Sequence, residues 1–501
     1  MLNKRSQLKS GFGKYCQGRQ PLVLNQTLGK VLVAPLLGLD AVVGTGYHDT
    51  QRWMELAALA VIAMVAVLRL VRGALTLPAL KSSGAWWVLL AGVLGLISAL
   101  LSAVPKQAFF EVGVFFLLLL TAWLIAAEVA QGGDARLESA LAWVVLGSLL
   151  YGFKAMVVYL GALLSGAQPD PANLIPGFDT FRFFNHGQTI TLPLLGLYVC
   201  LRGGKDACSR GWLVAGWMAL VVWWTLLFVS AGRGTLVAMA VVMVAAGVVR
   251  GRRAWPWVRT MVWGALAGGA AYVLLYVAVP QWLGLESFGF FGRIVQRSVD
   301  NFGSSRSYLW ACAIQMVIQN PWLGAGPLHY AQFCAPLQVA AHPHNWVLQI
   351  AAEWGLVALT CIAAALFHGF RSLQRSKACL KAGDERAQAM LTCWLATSVA
   401  ILLDGLVSGL HVMPVSQMWV AVFSGLAWGW MKNLQAQAAP KTTSRVAQWI
   451  AVGVIVAGVG LWSIGVVESV ASAQAMGQAP EPGLALLRPR AWGYGFFGLN
   501  P

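Results

Sequence analysis

The stretch His342-Pro343-His344-Asn345-Trp346-Val347-Leu348-Gln349-Ile350-Ala351-Ala352-Glu353-Trp354-Gly355 starts as a polar loop with two imidazoles and continues into an apolar run to about residue 369. A helix over 345–369 is long enough to cross roughly 30 Å of hydrocarbon. The same pattern recurs along the chain, which is 58% hydrophobic and only 11% charged, so composition alone makes it a membrane protein. In lipid every backbone polar group needs an internal partner, so such runs are read as helices. They are continuously apolar, without the alternation of a membrane β-barrel.

The expected spans are 28–46, 53–72, 84–104, 108–130, 138–165, 187–202, 211–230, 234–250, 259–281, 345–369, 388–408, 416–432 and 447–468. The fold class is thus an all-α polytopic membrane protein with twelve or thirteen helices, the count turning on the first run, which is short and contains Asp40. No early apolar core follows the basic N-terminus, so a cleaved signal peptide is not expected. A net charge of +17 would suit nucleic acid, but the excess lies in short loops, where the positive-inside rule puts it. Basic clusters at 1–30, 69–81, 202–210, 250–259, 371–386 and 432–445 assign those loops to the cytoplasm, and 166–186, 282–344 and 409–415 to the far side. The expected organisation is a basic N-terminus 1–27, helices over 28–281 with a loop at 166–186, a large outer loop 282–344, helices over 345–468, and a tail 469–501. Cys312 and Cys334 share the large loop and can pair if it faces an oxidising compartment.

The outer loops carry the candidate chemistry. Arginine grips phosphate oxygens as a bidentate fork, and histidine titrates near neutrality. Arg293, Arg297 and Arg306 precede His342 and His344 in one loop, a combination suited to a phosphorylated lipid handled outside the cytosol. Arg233, in Ser230-Ala231-Gly232-Arg233-Gly234, reads either as a snorkelling arginine or as a phosphate ligand at the membrane surface. Arg306 stands among Ser304, Ser305 and Ser307 at an expected helix start, with Ser305 a candidate N-cap; it is either a solvated arginine or part of an anion site. Arg293 and Arg297 share a helix face and read first as surface charges or headgroup contacts. Arg182, in Phe181-Arg182-Phe183-Phe184-Asn185-His186, is a further anion ligand, beside aromatics that would stack on a sugar or sit in the headgroup belt; His186 reads first as structural. His342 and His344 read as a backbone-holding pair, a metal pair or a catalytic base with its neighbour. His344 is preferred as base because Asn345 and Gln349 can orient groups beside it, and a base predicts a pH limb near the ordinary imidazole value. Metal is the least favoured reading, since the outer loops lack clustered acids and no DxD occurs.

His344-Asn345, nine residues and then Gly355 resembles the signature of bacterial O-antigen ligases, O-antigen polymerases and protein O-oligosaccharyltransferases, with Ala358 where the signature has Gly, Thr or Tyr. Arg233, Arg306 and the loop-end histidine are similar in order to that superfamily's essential residues, and the stretch from Arg182 is also ligase-like; the resemblance covers roughly 140–430. It implies a GT-C-type glycosyltransferase of the Gram-negative inner membrane with a periplasmic active site. Its donor would be undecaprenyl-pyrophosphate-linked O-antigen and its acceptor lipid A–core. The resemblance further implies an inverting, metal-independent transfer with no cofactor, His344 as base, Arg233 and Arg306 on the pyrophosphate, and Arg182, His342, Asn345, Gln349, Arg293 and Arg297 as substrate contacts. The alternatives are a polymerase or protein glycosylase using the same donor and, more distantly, a lipid or glycan transporter. Membrane lipids are expected partners and nucleic acid is not.

Overall fold

A computed structural model describes residues 47–73, 84–169, 174–203, 210–287, 304–334, 340–380, 384–435 and 445–478. The expected first span 28–46 and the N-terminus 1–27 lie outside the described residues, as do Arg293 and Arg297. The described residues form helices and connecting turns, without strands.

Helices occur at every other expected span. They are α1 (Tyr47–Val71), α2 (Ala85–Leu101), α3 (Pro105–Leu164), α4 (Phe181–Arg202), α5 (Arg210–Ser230), α6 (Arg233–Arg250) and α7 (Trp255–Tyr272). The outer region contributes α8 (Ser304–Gln319), α9 (His329–Phe333) and α10 (Trp346–Glu353). Then come α11 (Gly355–Ser376), α12 (Glu385–Gly405), α13 (Pro414–Gln435) and α14 (Arg445–Gln478). Eight of the helical segments are long and apolar enough to cross a membrane, so the protein is a multi-pass membrane protein. α3 runs through two expected spans, and the polar link between them reduces to a break at Gly133, where φ is +58°. α8 begins at Ser304, so Ser305 lies inside the helix and is not its N-cap. α14 runs ten residues past the expected end at 468.

α3 is the central element; α1, α2, α4, α5, α13 and α14 all pack against it. α4 is buried from Phe183 to Val199 although its first half reads Asn185, His186, Gln188, Thr189 and Thr191. A helix enclosed by protein can hold polar groups that lipid would reject, provided each finds a partner. Asn185 Nδ2 donates to Gln188 Oε1 and Ser230 Oγ, Gln188 Nε2 donates to the Trp223 carbonyl, and the Thr189 and Thr235 hydroxyls are 2.8 Å apart.

The span expected at 345–369 is two helices. α10 stops at Glu353 and α11 starts at Gly355, whose φ is +86°. Across the break lies the turn 320–326, joined by Ala325 N to the Ala352 carbonyl, Gly326 N to the Glu353 carbonyl, and Leu356 N to the Pro321 carbonyl. The approach excludes side chains: a Cβ on Gly355 would stand 2.1 Å from the Trp322 carbonyl oxygen, and one on Gly324 2.3 Å from the Glu353 carbonyl carbon. Trp354 is buried against Phe115 and over Gly95 of α2, which fixes the break to the bundle. Cys312 of α8 and Cys334 after α9 are joined by a disulfide, their Cα atoms 6.1 Å apart.

Site-bearing helix ends gather at one face: the starts of α4, α6 and α8 with the end of α12. The opposite ends hold a second set of cations. Arg386 and Arg202 pair with Glu138, and Arg250 bonds Gln388 and Thr392.

Two outcomes follow from this architecture. Gly355→Ala should cost more than about 2 kcal/mol, combining a left-handed alanine with backbone overlap, and lower the apparent melting temperature of the detergent-solubilised protein; an unchanged transition would remove the need for a tight break. Alkylation without reduction should leave Cys312 and Cys334 unlabelled in intact-mass analysis, and labelling of both would rule out the bond.

Candidate active site

The loop before α10 presents His344 in a left-handed conformation, φ +53°, unusual for a residue with a Cβ and costing about 1–3 kcal/mol unless the surroundings enforce it. They do so at several points. The His344 amide donates to His342 Nδ1 at 3.2 Å, the two imidazoles meet edge to face at 4.0 Å, and Trp310 of α8 donates to the Pro343 carbonyl. His342 is buried, with Gly409 against its ring; a Cβ there would come within 2.7 Å of Cε1. Asn345 closes the loop by capping α10, its Oδ1 accepting from Val347 N and Leu348 N at 3.0 and 3.1 Å. Asn345 was expected beside the substrate; its Oδ1 is engaged in holding the helix start.

Gln349, one turn further, is buried and bridges two groups. Its Oε1 lies 2.7 Å from His411 Nε2, and its Nε2 donates to Glu353 Oε2 at 3.4 Å. Glu353, fully buried, accepts from the Tyr330 amide through Oε1 at 2.8 Å, tying α10 to α9. His411 sits on the loop between α12 and α13. That loop is held by Arg52 of α1, which donates to the Val412 carbonyl and to Gln417 Oε1 and pairs with Glu55; Gln417 Nε2 donates to the His411 carbonyl.

Three arginines reach this region from separate elements. Arg306 on the first turn of α8 donates to the Val407 carbonyl at 2.9 Å, linking α8 to the end of α12. Arg233 begins α6 directly after the turn at Ala231, φ +49°, where Gly232 passes so close to Asn185 that a Cβ would overlap its amide. Arg182 is exposed on the first turn of α4. One turn on, His186 is buried with Nδ1 3.5 Å from Asp404 Oδ2, which also accepts from Thr189.

The electrostatics show which of these groups share a site. His344 keeps a path to solvent yet is densely surrounded; burial, then the charges of Arg306, His186, Arg182 and His411, push its pKa down to about 3. Burial and then the Arg233 charge lower that of Arg306. Arg306, Arg182, His186 and His411 therefore all lie near His344, with Arg233 near Arg306. Such a concentration of positive charge favours a bound anion. Burial, together with these neighbouring charges, holds His344 well below the ordinary histidine value at which the pH limb was expected.

Sequence reading missed His411, although it lies in a short loop already assigned to the outer side; enumerating every histidine on that side would have found it. His186, read first as structural, pairs with Asp404 at the site's edge. Of the other titratable residues on the outer side, His329 is bound to the Val104 amide and the Pro327 carbonyl, and the Glu286 backbone exchanges bonds with the Gln168 side-chain amide. Phe183 and Phe184 are buried in the core, the latter stacked on Tyr151 at 4.8 Å, so neither offers a face to a sugar. Among the described residues no group of three or more His, Cys, Asp or Glu is arranged to hold a metal ion.

Residues 218–363 match the family model described as O-antigen ligase. The match is narrower than the expected 140–430; it contains Arg233, Arg306, His342, His344, Asn345, Gln349 and Gly355 and ends before His411. No curated protein matches the chain.

The charge balance has a measurable consequence. In histidine-resolved NMR titrations of the solubilised protein, His344 should remain neutral well below pH 6.5. Arg306→Gln should raise its midpoint, because a repelling charge is removed, and added pyrophosphate should raise it in the wild type. A midpoint near 6.5 that is insensitive to both changes would show that the arginines do not face His344.

Proposed function

We propose that this site transfers a glycan from a lipid-linked pyrophosphate to an acceptor hydroxyl, with undecaprenyl pyrophosphate as carrier and lipid A–core as acceptor, on the periplasmic face of the inner membrane. The family match supports membrane glycosyltransferase activity of the O-antigen ligase and polymerase type. The observation that carries the finer reading is the convergence of His344 with Arg306, Arg182 and His411, and of Arg306 with Arg233. The outer location is supported by the disulfide in the same lobe, since such bonds persist in oxidising compartments, and by the cations at the opposite helix ends.

In this reading the acceptor oxygen attacks the anomeric carbon as the bond to the pyrophosphate oxygen breaks on the opposite face, inverting that centre. The acceptor proton passes to His344. Arg233 and Arg306, with Arg182, receive the charge that develops on the departing pyrophosphate, a role in which fixed charges act without reorganisation. The leaving group is already activated, so neither ATP nor a cofactor enters. A histidine with a pKa near 3 is neutral and able to accept a proton, but weakly basic. The donor's negative charge offsets the arginines and raises that value, so the base strengthens only when donor is bound. His342 and Gln349 act behind His344 and His411, orienting them. A polymerase or a protein glycosylase would use the same donor chemistry with a different acceptor.

Two measurements test this reading. In purified protein, His344→Ala should abolish transfer while leaving donor binding largely intact. Arg306→Ala should slow transfer about 30- to 1,000-fold, and Arg306→Lys should be impaired too, because an ammonium cannot make the bidentate fork. Normal turnover by correctly inserted Arg306→Ala would sink the assignment. The acceptor is read from a deletion strain: core lacking O-antigen indicates a ligase, and core bearing one repeat a polymerase.

A further inference from the structure

We propose that the end of the molecule remote from His344 carries a second binding site, for a membrane phospholipid with net negative charge. A cavity of about 350 Å³ lies between the last turns of α6, the end of α11 and the first half of α12. Arg250, Arg253 and Lys377 line it, and among its described lining residues there is no carboxylate. Its walls are otherwise largely apolar, including Val249, Phe370 and Val399. α6 runs 18 residues from Arg233 to Arg250, which separates this cavity from the catalytic cluster by roughly 27 Å, close to a full hydrocarbon thickness.

Three features favour a lipid over simple snorkelling arginines. Arg250 is half-buried and held in place, Nε donating to Thr392 Oγ1 at 2.9 Å and Nη2 to Gln388 Oε1 at 2.6 Å. A snorkelling side chain reaches outward for water, whereas this one is anchored across to α12 at the cavity wall. Second, the other two cations, Arg253 and Lys377, are exposed and come from different helix ends, so one phosphate can bridge them. Third, the cavity opens sideways: Val249, in its wall, is 76% exposed on a helix that crosses the bilayer. A ligand entering by that route has an acyl chain, and the cations at the rim select a phosphate. Basic pockets between membrane helices on the positively charged side are the sort of place where anionic headgroups seat. The volume accommodates a headgroup and the first part of one chain, the rest lying in the bilayer.

The test uses the full protein reconstituted in phosphatidylethanolamine nanodiscs with and without phosphatidylglycerol or cardiolipin, and native mass spectrometry of the lipid it retains on release. Wild type should retain an anionic phospholipid in preference to phosphatidylethanolamine. Arg253→Gln with Lys377→Gln, which leaves the anchored Arg250 and the bundle untouched, should reduce that preference about 10- to 30-fold. Val399→Trp, which fills the apolar wall and alters no charge, should abolish retention; if it does not insert, Ala396→Phe makes the same test. Binding that survives the wall variant and is displaced by inorganic phosphate would identify a site for free phosphate and overturn the lipid assignment. Equal preference in wild type and the charge variant would mean annular lipid only and overturn the site.

Discussion

The contact on which the outer half of this molecule depends is made between two pieces of backbone. The turn 320–326 lies against the break between α10 and α11, with Gly324 and Gly355 so close that neither tolerates a Cβ. Three amide-to-carbonyl bonds seal it. Because the break is fixed, α10 leaves the line of α11, and each functional side chain near it inherits its position. Glu353 reaches Tyr330, Gln349 reaches His411, and Asn345 caps the helix immediately after His344. The glycine eleven residues beyond His344 thus has a steric role: it permits the turn that aims the histidine.

The site assembled on this frame concentrates positive charge. Arginines from α4, α6 and α8 meet with histidines, and Asp404 is the carboxylate paired at their edge, through His186. Like charges gathered in a partly desolvated recess repel, and the depressed basicity of His344 expresses first its burial and then that repulsion. An anion relieves it. In the proposed reaction, binding of a diphosphate and activation of the base would then be one event, the histidine staying a weak base until the substrate that needs it has arrived.

The rest of the bundle pays for this arrangement in polarity. α4 carries five polar residues in its buried half, and Arg52 and Glu55 are buried on α1. The polar residues of α4 and Arg52 are matched by partners on other elements, while Glu55 pairs with Arg52 on its own helix; in lipid such matching both permits the residue and fixes how the helices meet. Arg52 shows the link to function: it grips the very loop that presents His411.

The sequence by itself determined the class of the protein and the position of nearly every described helix, and it singled out Arg233, Arg306 and His344 as candidates, which the structure brings into one region. Hydropathy over twenty residues is a local property, and loop charge obeys a local rule, so both are readable along the chain. The resemblance around His344 and Gly355 was legible for the same reason, being a short motif at fixed spacing. What only the tertiary structure decided is non-local. An apolar run from 345 to 369 reads as one helix until Pro321 and Gly326 are seen bonded across it. His411 and His186 looked like isolated histidines because their neighbours, Gln349 and Asp404, are 62 and 218 residues away. The weak basicity of His344 is likewise not a property of the histidine or its flanks: it arises first from burial and then from charges delivered by separate elements, and the sequence does not record which elements meet.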